Sequence, residues 1–451
     1  MRRHSIECHS IRRWGLTAGL VALLCLATAD CQRPDPRVGL TVQRLFGDCR
    51  AHVPKDGPAT SNPNGECEVI TGLLDRFERE NPDIRLDINT VAWPGYDQLS
   101  AQIAADDAPD LVTMHMAVVP DYEQHHLIMP MGAILAKAGV TSDQFTPVAR
   151  RAITMDGDVW GLPFDTWTQL FHINMNLFEE AGLVRDGQPI LPHNAAELLE
   201  EARQFKARTG KPYFVQSLVN EDAAYARNLY TYLIAEHQVI FPDPRHIRLD
   251  TQEAQAIVGL FKQIYDEGLT TRNQDYVAAT AAFVNGGGGV YIDGTWMIGT
   301  FDDEAAEPGR PLYRGYAVKP YPVLFGDEPA AFVDGHAWVM PVKARTQAQM
   351  AALTRLIGFL AQHEIVWTRS GHLSSFQAVI DSSAYQTQPH RRDLMAITAY
   401  GQGLPRDVQR QFAIQSIVSE EMAAAITGAK PVERALHDAE HRVDDMLENL
   451  S

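Results

Sequence analysis

The chain has 451 residues, 57 acidic against 39 basic side chains, a net charge of −18 and a hydrophobic fraction of 45%. That length suits about two or three domains with sizeable cores. The acidic balance excludes a nucleic-acid binder, which needs a basic footprint, and disfavours anionic membrane surfaces, but leaves a neutral ligand open.

Residues 1–30 read as a secretory signal peptide. Arg2, Arg3, Arg12 and Arg13 form a basic region, and residues 15–29, GLTAGLVALLCLATA, are apolar. The apolar run is short for a membrane helix, and no second stretch is long and apolar enough to span a bilayer. Arg12-Arg13 followed by Trp-Gly-Leu is a poor match to twin-arginine export. Cys31 follows directly, and LATADC partly resembles a lipoprotein cleavage site, which predicts a lipid on Cys31. Asp30 departs from that pattern, which places a small residue there, and ordinary signal cleavage is the alternative. Of the five cysteines, Cys8 and Cys25 leave with the signal, so Cys49 and Cys67 are left to form a disulfide in an exported chain. Such a bridge contributes about 3 kcal/mol. Two isolated thiols lack the paired spacing of a zinc site.

After a linker at 32–36, residues 38–46, VGLTVQRLF, alternate enough for a first strand. The loop at 49–67 is rich in Pro, Gly, Asn and Asp. Val69, Ile70, Leu73, Leu74 and Phe77 then fall at helical spacing, and Asn81-Pro82 stops the helix. Residues 84–88 form a second strand, and strand–helix–strand order implies a parallel unit. Ligands bind beyond the carboxyl ends of such strands, so the loop after the first strand lies at the ligand edge. Trp93 stands where the second strand ends, before a helix through Leu99 and Ile103.

Further on, Asn194 and Glu197 form a near capping box. Residues 213–218 predict a strand with Asn220 and Glu221 at its end, and residues 224–235 and 251–267 predict helices. Four glycines at 286–289 precede the strand at 290–293 and Gly294-Thr295-Trp296. Phosphate loops follow a strand and open a helix, so this glycine run is not one. A strand at 332–340, FVDGHAWVM, a helix at 346–361 and helices rich in Leu, Met and Ala complete the chain, with no internal repeat.

The stretch at 155–183, MDGDVWGLPFDTWTQLFHINMNLFEEAGL, organises these elements. A turn at Asp156-Gly157-Asp158 leads through Val159-Trp160-Gly161-Leu162 to Pro163. A break follows at Phe164-Asp165-Thr166-Trp167. A strand resumes through Leu170, Phe171 and Ile173, and a short helix ends at Gly182. A polar and aromatic break between strand-like pieces suits a chain crossing between lobes, with Asp165 in reach of a ligand and Trp167 beside it. This run resembles the crossing segment of the extracellular solute-binding proteins, family 1, of bacterial sugar importers. Phe283, the glycines and Gly294-Thr295-Trp296 resemble a second run of that family, and residues 107–112 its third strand, after which His115 would face the cleft. Residues 370–375 resemble its last hinge passage, with Ser374 where a proline is usual.

The resemblance covers most of the chain after residue 37. It implies a type II periplasmic-binding-protein-like α/β fold, with two lobes, each a mostly parallel sheet flanked by helices, and a cleft between them. Lobe 1 would be residues 38–164 plus 328–372, and lobe 2 residues 165–322 plus 373–451. It also implies a monomeric receptor in the periplasm or at the cell surface, without a cofactor, touching the membrane only through a lipid anchor. Such a receptor hands a mono- or oligosaccharide to the permease of an ABC importer.

Sugars are held by flat aromatic rings against pyranose faces and by carboxylates and amides on hydroxyls. The loop-end aromatics are Trp93, Trp167 and Trp296, whose bland alternative is packing; Trp338, in mid-strand, reads first as core. The polar candidates are Asp165, Asn220, Glu221, Asp293, His115 and His336; their alternatives are a lobe-hinge hydrogen bond for Asp165, a cap for Asp293 and a satisfied core position for each histidine. Sixteen histidines include the adjacent His125-His126 but no H-E-x-x-H, so no metal site is expected. A secreted glycoside hydrolase is the competing class; it needs two carboxylates at about 5–9.5 Å, and Asp165, Glu221 and Asp293 could supply them. No G-x-S-x-G elbow is present. A polyol is the competing ligand, and the absence of an arginine cluster among these positions disfavours an anion.

Overall fold

The computed structural model describes residues 35–46, 64–91, 95–217, 219 and 224–450. The signal peptide, Cys31, Cys49, Trp93, Asn220 and Glu221 lie outside the described residues. In chain order, the strands of the larger sheets are β1 (Val38–Arg44), β2 (Ile84–Thr90), β3 (Leu111–His115), β4 (Ile128–Met129), β5 (Leu162–Pro163) and β6 (Trp167–Asn174). They continue with β7 (Phe214–Val215), β8 (Val290–Gly294), β9 (Tyr316–Lys319), β10 (Val333–Asp334) and β11 (His336–Pro341).

The first sheet has the order β2-β1-β3-β11-β4, with β5 also on β11. Its parallel part grows from the local pattern. The helix Glu66–Glu80 buries the stripe Val69, Ile70, Leu73, Leu74 and Phe77 and returns the chain so that β2 lies parallel to β1. The second sheet has the order β7-β8-β6-β9, with β10 also on β6. Here the expectation of mostly parallel sheets needs correction. Only β7–β8 is parallel; β8, β9 and β10 all run antiparallel to β6. The reason is connectivity: β6 enters the second lobe directly from the first, and β10 leaves along it in the opposite direction.

Two separate cores follow. Leu40, Val42, Ile70, Leu74, Leu111, Val112, Trp338 and Leu353 fill the first. Phe171, Ile173, Phe178, Phe205, Tyr213, Ile257 and Val290 fill the second, joined by Ile414, Val418 and Val443 from the helices Gln411–Ile426 and Val432–Glu448. The sequence reading of 213–218 as a strand shortens to β7, and the reading of 332–340 as one strand breaks at Gly335. At Gly335 the chain changes sheets, and every residue from 331 to 341 is buried, so no periodicity reveals the break.

Three chain passages lie side by side between the sheets. The first is residues 164–166, between β5 and β6, and the second is Gly335. The third follows Trp367, which belongs to the first core, and reaches Leu373, which packs with Leu170 and Val318. Phe164 N donates to His336 O at 2.7 Å, Thr166 N to Leu373 O at 2.8 Å, and Leu373 N to Thr166 O at 3.0 Å. The first passage is therefore sandwiched between the other two.

A Cβ at Gly335 would stand 2.2 Å from Asp165 O and 2.3 Å from Met116 Cε. Gly335→Ala therefore forces two passages apart and should lower the unfolding free energy by about 1–3 kcal/mol, the usual cost of overpacking. A lower urea midpoint at unchanged slope is the expected reading.

Candidate functional site

Between the lobes, side chains from the strand ends and the passages converge. Asp165 is fully buried. Its Oδ1 accepts from the His336 backbone N–H at 2.9 Å, and its Oδ2 stands 2.9 Å from His336 Nδ1 and accepts from Trp367 Nε1 at 2.8 Å. Burial opposes ionisation of this pair, but each partner's charge overrides it. His336 and His372 hold the Asp165 carboxyl below its usual range, and Asp165 holds the His336 imidazole above its own. The carboxylate thus faces other passages rather than an open cavity.

His336 belongs to a ring cluster. Its ring centroid lies 4.6 Å from that of His115 and 4.2 Å from Phe46. His115, at the end of β3, has its Nδ1 2.6 Å from Tyr96 Oη. Burial, then the nearby His336, Arg227 and His372, push its pKa well down. The ring of Trp167 reaches across to His115 at 6.0 Å and meets Trp296 edge-on at 5.5 Å. Trp167 is itself buried, beneath the Arg227 guanidinium at 4.7 Å.

Trp296 is only half-buried, and its Nε1 donates to Tyr276 Oη at 2.9 Å. With Asp293, Gln169, Gln216, Arg227 and Asn228 it lines a cavity of about 30 Å³. That volume holds about one water, so a sugar needs the lobes to part or the lining to move. A larger groove of about 790 Å³ runs along the edge strand β9, lined by Asn176, Tyr316, Lys319, His390 and Asp393 among others. None of the sequence-predicted residues lines it, and it is a groove beside a sheet edge rather than a space between the lobes. The smaller cavity is where aromatic and hydrogen-bonding groups converge.

Of the predicted residues, the structure thus gathers His115, Asp165, Trp167 and His336 into one buried junction and sets Asp293 and Trp296 on the adjoining cavity. Trp338 is core, as its mid-strand place suggested. The sequence reading missed Gln169, Gln216, Arg227, Asn228 and Tyr276. Arg227 carried a usable signal. It is the one cation in the helix Ala224–Ala235, which is buried nearly all round, and its Nε donates to Gln415 at 3.1 Å.

Comparison with known proteins agrees with this architecture. The model of the bacterial extracellular solute-binding protein family matches residues 68–365, and the chain belongs to that family. A protein of Brucella abortus named as a binding protein is 26% identical over 58% of this chain, and the chain spans 57% of that relative's length. The ABC transporter periplasmic-binding protein YcjN of Escherichia coli is 24% identical over 55% of this chain and 56% of its own length. Among solved structures, the maltose-bound MalE3 of T. maritima superposes with a TM-score of 0.74 at 18% identity, covering 91% of this chain and 100% of that one. The GacH receptor of Streptomyces glaucescens, described free and with acarbose, gives 0.75 at 16% identity, covering 92% and 100%. The fold is accordingly that of two-lobed binding proteins. Among the described residues, no helix is long and apolar enough to cross a membrane.

Near the junction, Glu364 is buried, and its Oε1 accepts from Ser375 N at 3.1 Å. Burial pushes its pKa up to about 8. With the folded value raised above the unfolded 4.5, its contribution is whole below about pH 4.5 and is lost as pH rises to about 8. Glu364→Gln should therefore match the wild type at about pH 4, gain on it steadily to about pH 8 and hold a constant advantage above. Urea midpoints across that range read this directly.

Proposed function

We propose that this chain is the extracytoplasmic receptor of an ABC importer, capturing a sugar between closing lobes and presenting it to a membrane permease. The observation that carries this reading is the cavity beside the lobe junction. The half-buried Trp296 offers an indole face beside Asp293, Gln169, Gln216 and Asn228, which is the aromatic-plus-hydrogen-bonding lining a pyranose requires. Membership of the solute-binding family, the maltose and acarbose complexes of similarly folded proteins and the ABC-transporter name of the Escherichia coli relative support it.

In this reading the lobes divide at 38–164 plus 328–372 and at 165–322 plus 373–451, except that residues 328–334 go with the second lobe, because β10 pairs with β6. Trp93, Asn220 and Glu221 are further ligand contacts in this reading. The ligand contacts both lobes only when they are closed, so it stabilises the closed form that the permease reads. The chain acts as a monomer, is exported by residues 1–30 and is anchored by lipid on Cys31. Cys67, buried in the first turn of its helix, pairs with Cys49. Replacing both with serine should cost about 3 kcal/mol of stability. Calorimetric titration then tells whether the bridge also shapes the cleft: unchanged ligand affinity makes it a distant staple.

The test of the function is thermal melting against mono- and oligosaccharides, polyols and amino acids. A sugar at about 100 times its Kd should add roughly 2.7 kcal/mol. Trp296→Ala should weaken that sugar roughly tenfold through loss of the ring face. A shift from polyols or amino acids alone would discard the sugar assignment. Recovery of an oligosaccharide intact after long incubation separates a receptor from a hydrolase.

A further inference from the structure

Three side chains with metal-ligating atoms meet where the three passages meet. Asp165 comes from the first, His336 from the second and His372 from the third, and one donor atom of each lies within 4.8 Å of the others. His336 Nδ1 and His372 Nδ1 stand 2.9 Å and 3.9 Å from Asp165 Oδ2. Donors about 2.0–2.2 Å from a tetrahedral zinc ion sit roughly 3.3–3.6 Å apart, so small shifts bring this set to ligating geometry.

The surroundings are those of a supported site. His372 Nε2 lies 2.7 Å from Glu66 Oε1, which fixes the ring with Nδ1 turned inward; a carboxylate behind a ligating histidine is the usual outer support. The Trp367 indole and the His336 backbone N–H hold the carboxylate of Asp165. Thr295 Oγ1 stands 3.3 Å from His372 Nδ1. All three donor residues are buried. His372 stacks on Trp367, its rings 5.1 Å apart, and carries its Nδ1, bonded to Thr295 Oγ1, to 3.9 Å from Asp165 Oδ2, so the third donor faces the same carboxylate oxygen as His336.

We infer that Asp165, His336 and His372 form a site for a divalent transition metal of the zinc class, pinning the three inter-lobe passages together. Two imidazoles and one carboxylate suit zinc and its neighbours rather than calcium or magnesium. The first two ligands are 171 positions apart, which is why no local motif announced them. Because the donors are buried and come from different passages, the ion enters when the passages part and leaves them joined. The proposal stands on the hinge and does not depend on which solute the cleft takes.

The test is zinc titration into the purified full chain after chelator treatment, with retained metal counted by mass spectrometry after desalting and cobalt(II) as a visible reporter. About one retained ion and a visible cobalt absorption are expected. His372→Gln should abolish both. Glu66→Gln, which touches only the outer nitrogen of His372, should weaken affinity about 10–100-fold. His246→Gln, in the exposed cluster with Asp243 and Glu448, should change nothing. A wild type that retains no metal, or a His372→Gln variant that retains as much as the wild type, overturns the proposal. If His372→Gln does not fold, undiminished affinity in Glu66→Gln overturns it equally.

Discussion

A single buried carboxylate organises the middle of this molecule. Asp165 is shut off from bulk solvent, so its charge requires partners, and those partners come from distant parts of the chain: His336 from the second passage, and Trp367 and His372 beside the third. Removing one partner of a buried ionic group is costly because the other is stranded. The two lobes have separate main cores, joined by a small apolar cluster that includes Val148 and Leu170 and by the polar contacts around Asp165. Asp334 adds to these, its Oδ1 accepting from Ala117 N at 3.0 Å across the second passage.

This division suits a receptor. Each lobe has a main apolar core of its own. The surface between them combines polar groups with the rings of Phe46, His115, His336, Trp167 and Trp296. Trp167 shows the compromise. Its indole lies at the start of β6, touched by His115 from the first lobe and by Trp296 and Arg227 from the second, so it senses both sides of the junction.

Much of the frame was legible in the sequence because helices and strands with one buried face carry a period. The helices Glu66–Glu80, Ala224–Ala235, Gln252–Asp266 and Gln347–Gln362 fall where the apolar spacing put them. The stretch around Asp165 was recognisable as a crossing because its polar break interrupts two strand-like pieces. What the carboxylate touches was not legible, since its partners lie far off in sequence. The break at Gly335 was hidden for a similar reason: only the approach of Asp165 O demands a glycine there. Gln169, Gln216 and Asn228 were missed because amides in strands and helices carry no pattern of their own.

The lateral hydrogen bonds among the passages have a mechanical consequence. Three struts side by side, with the central one bonded to both neighbours, behave as a leaf spring rather than as three separate wires. Such a strip bends easily about the line across it. It resists sliding, because sliding would break the Thr166–Leu373 and Phe164–His336 bonds, and it resists twisting, because the outer struts would have to lengthen. In the receptor proposed above, such a strip confines the lobes to one arc of motion and returns their facing surfaces to the same register each time the cleft shuts.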